Sequence, residues 1–170
     1  MDSRVRKFVL TTHITVSVGW VGAVGAYLAL VVTAWTTQEV LAVRAAWLGM
    51  EVIGWYILVP LAIASLLTGL VMALGTRWGV FRHYWVLFSF LLTLLATAVL
   101  ISHMPTVSFY ANLAATADTA SRTGLRGELL HAGVGLLVLL VITGLNVYKP
   151  RGLTPYGQRK LQEQRTESQV

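Results

Sequence analysis

Phe8 to Trp35 reads FVLTTHITVSVGWVGAVGAYLALVVTAW, 28 consecutive residues without a charge. An α-helix rises about 1.5 Å per residue, so about 20 apolar residues cross a hydrocarbon core of about 30 Å. The stretch is long enough to span a bilayer, and Val52 to Thr76 repeats the pattern over 25 residues. A third uncharged run, His83 through Ala117, is too long for one crossing. Pro105 lacks a backbone donor and is expected to end that helix near His103 or Met104. The fourth run, Leu129 to Tyr148, stops at Lys149-Pro150. The sequence therefore predicts an all-α integral-membrane fold, an antiparallel four-helix bundle over residues 1–148. Its spans fall at approximately 8–35, 45–76, 81–104 and 124–148, and a polar tail occupies 149–170.

Composition agrees: 56% of the chain is hydrophobic, 12% is charged and there is no cysteine, which argues against a soluble domain, a disulfide framework and thiolate metal sites. Arg4, Arg6 and Lys7 before an apolar run resemble a signal peptide, but the run is twice too long and reads as a retained span. With the N-terminus inside, ten Lys and Arg fall on the cytoplasmic side and only Arg44, Arg122 and Arg126 on the outer side. By the positive-inside rule both termini are expected in the cytoplasm, with the chain in a bacterial cytoplasmic membrane. The net charge of +6 is thus a topology signal and an attraction to anionic lipid, and nucleic acid is not an expected partner.

Residues 36–44 are expected to form a short outer loop and Arg77 to Arg82 a tight cytoplasmic turn, with a longer outer segment from Pro105 to Thr123. Within that segment, Ser108 to Ala115 is apolar enough to lie on the membrane face or cap the bundle. Gly19, Gly22, Ala26 and Ala29, with Gly25 nearby, form a stripe suited to helix contact, a flat cofactor or a homodimer. Trp47, Trp55, Tyr56, Trp78, Tyr84, Trp85 and Tyr148 sit mostly toward span ends, as interfacial aromatic belts do. Pro60 is expected to kink the second helix.

All four histidines lie near span ends. His13 and His83 fall toward the cytoplasmic side, and His103 and His131 toward the outer side, giving two pairs matched in depth. Two imidazoles from facing helices can ligate a haem b iron axially, and one or two such haems would carry electrons through the membrane, to a quinone or a redox partner protein. Arg6, Arg77 and Arg82 border the inner pair, and Arg44 and Arg126 the outer, where anionic propionates would need cations. Against two haems, His83 and His103 are 20 residues apart and so point about 200° apart around one helix. His83 also reads as an ordinary interfacial histidine beside Arg82. Glu51, His103, Glu128 and His131 form an alternative outer site for copper, zinc or non-haem iron. For Glu128 alone the simpler expectation is a pairing with Arg126 or solvation of a helix start.

His13-x6-Trp20-x-Gly22, followed by Gly25, resembles the opening helix of bacterial membrane proteins related to copper-resistance protein D and to the membrane protoporphyrinogen oxidase. Arg82-His83-Tyr84-Trp85-Val86-Leu87 and His103-Met104-Pro105 resemble an actinobacterial-type four-helix membrane family without an assigned activity, over residues 8–148. The resemblance implies haem b or copper held by helix-borne histidines, with His13 the position that carries over. The chain departs from the oxidase in having no lysine between Lys7 and Lys149. It departs from two-haem transmembrane cytochromes b in having no histidine on its second helix and two on its third. Three functions follow as expectations: a small cytochrome b transferring electrons, a metal-handling or transport protein, and a non-catalytic membrane subunit or scaffold. Nothing in the sequence has the nucleophile–base or phosphate-loop pattern of an enzyme acting on a small substrate.

Overall fold

The computed structural model describes residues 2–75, 79–116 and 122–167. Within them the chain forms five helices and no strand: α1 (Ser3–Thr36), α2 (Val40–Gly75), α3 (Tyr84–Thr116), α4 (Leu125–Tyr148) and α5 (Pro155–Glu167). The first four are long and apolar enough to cross a membrane, as a multi-pass membrane protein requires. Large apolar residues are exposed on all four, among them Phe8, Leu74, Leu95, Leu130 and Val147. Such surface is consistent with contact with a lipid bilayer. α1 packs on α2 and α4, while α3 packs on α2 and α4. Gly22, Gly25, Ala26 and Ala29 are exposed on α1, so most of the small-residue stripe faces away from the other helices.

α2 has an irregular middle. The ring of Pro60 cannot donate to the carbonyl of Tyr56 and crowds it. The helix widens into a π turn over Gly54–Leu58, with the Val59 N–H bonded to the Gly54 carbonyl. The irregularity predicted at Pro60 thus takes the form of a π turn. Gly54 opens that turn, and its missing side chain leaves the space that Met104 of α3 fills.

Pro105 does not end α3. The helix runs on to Thr116, and this corrects the boundary near His103 and the long outer segment read from the sequence. One lost hydrogen bond is outweighed by what the extension buries: Val107, Ala111 and Ala114 are all in the core. Tyr110 stacks on Trp47 of α2 with ring centroids 5.1 Å apart, and the Trp55 indole donates to Ser108 Oγ at 3.0 Å. Trp47 is fully buried and Trp85 nearly so, so neither belongs to an interfacial belt. Trp55, Tyr56, Tyr84 and Tyr148 are exposed as the belt requires, and Trp78 lies outside the described residues. The loop between α1 and α2 is only Thr37 to Glu39.

After α4 the chain doubles back. Lys149 takes a left-handed conformation at φ 46°, and residues 152–154 then pair with the connection before α3. Tyr84 N–H donates to Gly152, and Thr154 N–H to Arg82, at 3.3 and 3.0 Å. Thr154 Oγ1 donates to Phe81 and accepts the Gly157 N–H at 3.1 Å, capping α5 ahead of Pro155 at its first position. The tail is therefore fastened to the same end of the molecule as His83, which bridges Leu153.

α4 starts at Gly124, whose φ is 91° and where an added Cβ would lie 2.7 Å from the Tyr110 ring. Gly124→Ala is expected to cost about 1–3 kcal/mol through backbone strain and this clash. Gly127→Ala, where an added Cβ meets nothing within 4 Å, should be neutral or stabilising. Thermal unfolding of the two variants in detergent checks the contrast.

Candidate functional site

His13, Ser17, Trp20, Val24 and Tyr27 follow one another at intervals of four, three, four and three, so α1 presents them on a single face. Trp20, Val24 and Tyr27 are buried there. The Tyr27 hydroxyl donates to Glu128 Oε2 at 2.6 Å, and His103 Nε2 lies 2.9 Å from Glu128 Oε1. The His131 ring lies face to face with that of His103, centroids 3.8 Å apart and planes 13° from parallel. Three helices thus meet at one carboxylate. α2 adds no titratable group to the contact; Glu51, half-buried on α2, makes no bond to these residues.

Glu128 is 1% exposed. It is buried because α3 continues about 16 Å beyond Pro105 and lies over the start of α4. A carboxylate so placed needs partners or a proton, since an unpaired buried charge is very costly. Two hydrogen bonds and a position in the first turn of α4, where the helix dipole favours negative charge, meet that need. One hydrogen bond at 2.9 Å joins Glu128 Oε1 to His103 Nε2. Two imidazolium ions at the stacking distance would repel by about 4 kcal/mol at an effective dielectric of about 20.

The sequence-derived sites redistribute as follows. His103 and His131 do come together, but stacked face to face, with His103 Nε2 engaged by Glu128. Axial ligation needs two imidazole nitrogens aimed at one iron from opposite sides. The stack leaves no room for a metal between the rings, so this pair does not fit a bis-histidine haem. His13 lies between α1 and α2, its Nδ1 2.9 Å from Thr68 Oγ1. His83 sits where the tail is fastened, 6.4 Å from the Trp85 ring. α1 and α3 are not neighbouring helices, and the inner histidines have separate surroundings. Among the described residues no group of three or more His, Asp or Glu is arranged to hold a metal ion, which bears on the copper, zinc or iron alternative. Arg126 is exposed over the Trp35 ring at 5.9 Å, and Glu128 is neither its partner nor solvated. Arg6 is exposed, Arg44 and Arg82 are half-buried, and Arg77 lies outside the described residues.

No family model, curated protein or solved structure matches the chain. The geometry alone carries the functional reading. It adds Tyr27, Thr68, Ser17 and Ser65, which sequence reasoning passed over. The four-three spacing from His13 through Ser17 to Tyr27 was the signal available, hidden among residues read only as apolar filling.

Glu128→Ala leaves the buried Tyr27 hydroxyl and the half-buried His103 ring without their shared partner and is expected to cost about 3–5 kcal/mol. Glu128→Gln keeps an acceptor for Tyr27 and should cost roughly half as much. Tm and unfolding by denaturant in detergent measure both.

Proposed function

We propose that the chain is a multi-pass protein of the bacterial cytoplasmic membrane, an antiparallel four-helix bundle with both termini cytoplasmic, that takes up and releases protons at the Tyr27, His103, Glu128 and His131 cluster in its outer half. The ten-to-three distribution of Lys and Arg supports the orientation. Antiparallel packing is supported by His13 meeting Thr68, Ser17 meeting Ser65 and Leu30 meeting Gly49, numbers rising on α1 as they fall on α2. The observation that carries the functional reading is Glu128 itself, a fully buried carboxylate in an apolar helix, bonded to an imidazole. Ionisable groups inside spans mark ion and proton pathways. Protonation breaks the charge-assisted Glu128–His103 contact and leaves a neutral acid, while Tyr27 holds the carboxylate in place in either state.

Infrared difference spectra of the protein in liposomes, stepped between mildly alkaline and mildly acidic buffer, test this. A protonated-carboxyl band is expected in the wild type and absent in Glu128→Gln. A spectrum without any carboxyl change at this residue sinks the reading.

A further inference from the structure

The proton-binding cluster occupies only the outer part of the α1 face that carries it. Toward the other end the same face bears His13 and Ser17, bonded to Thr68 and Ser65 of α2 at 2.9 Å each. Ser65 is itself buried. Hydroxyl and imidazole groups on an interhelical seam, in a chain this apolar, form a second polar set distinct from the first. Between Ser17 and Tyr27 the face is apolar for about 15 Å. There Trp20 and Val24 of α1 and Leu58 and Ala62 of α2 are all buried in one core.

That apolar block coincides with the least regular part of α2. Leu58 ends the π turn, Pro60 follows it, and Ala62 comes next on the buried side. At its other end the turn begins at Gly54, against Met104, the residue after His103. The turn is therefore part of the apolar block at one end and in contact with the neighbour of the cluster at the other. Single π turns within helices recur at functional sites.

Resting on the proton-exchange reading above, we infer that the two polar sets are halves of one proton route across the membrane, closed by the Trp20, Val24, Leu58 and Ala62 block. A proton enters from cytoplasmic water at His13, passes along the Ser17 and Ser65 seam, crosses the block on water admitted when it opens, and reaches Glu128 and His103. Each hop breaks one O–H or N–H bond and forms another; no electrons move, and the pH difference or membrane potential supplies the drive. Apolar constrictions close such paths by excluding water.

The test uses the full chain in liposomes with an entrapped pH-sensitive dye and an imposed potassium diffusion potential. Val24→Ser, and separately Trp20→Ala, should raise proton flux on the order of tenfold over wild type by wetting the block. Adding His13→Ala or Glu128→Gln to either variant should return flux to the wild-type level. Flux unchanged in both folded single variants, or raised flux indifferent to His13 and Glu128, overturns the route. Intact infrared titration of Glu128 without flux removes only this inference, whereas loss of that titration removes the reading beneath it. Circular dichroism melts establish that the variants are folded, and Val24→Ser, the smaller change, carries the decision if Trp20→Ala is not.

Discussion

A carboxylate buried among apolar helices has to be bonded on all sides or give up its charge, and Glu128 is bonded to α1 and α3 from its own place on α4. That requirement pins three helices at one level. Tyr27 can reach only if α1 turns its His13 to Tyr27 face inward. His103 can reach only if α3 is continuous to that depth and past it. The stack of His131 on His103 then fixes the rotation of α4, since both Glu128 and His131, three residues apart, must face the same neighbour.

In lipid, apolar side chains gain little by leaving one apolar environment for another, so helix association relies on close fit and interhelical hydrogen bonds. The contacts that set the geometry here are of those kinds. Met104 seats in the space left by Gly54, and Tyr110 closes on Gly124. Ser17 with Ser65, and His13 with Thr68, do toward one end of the molecule what the Glu128 cluster does toward the other. The tail adds a backbone clasp between residues 152–154 and the connection to α3, at the end where the inner histidines lie.

Run length made the four helices legible, because nothing else explains 28 uncharged residues in one stretch. Depth along each helix was legible too: counting residues put His103 and His131 at one level, where they touch. What counting could not supply was rotation and continuity. Pro105 reads as a stop because the local rule is about one hydrogen bond, whereas the helix answers to the burial of Val107, Ala111 and Ala114 beyond it. The fate of Glu128 followed from that same continuation, which covers what would otherwise be an exposed helix start beside Arg126. Trp47 was misplaced for a like reason: position near a span end suits an interface, but Tyr110 on the extended α3 provides a buried partner.

The two departures from regular helix, the π turn of α2 and Pro105 of α3, are close in space. Gly54 touches Met104, and Trp55 bonds Ser108, so each irregular segment is packed against the other. A regular helix resists local change because every residue shares in the ladder of bonds; a π turn and a proline each remove that sharing over one turn. Both lie beside His103, and Trp47, Met50 and Leu125 are fully buried. On the proposed function, a proton bound at Glu128 changes a charge at that level, beside both irregular segments.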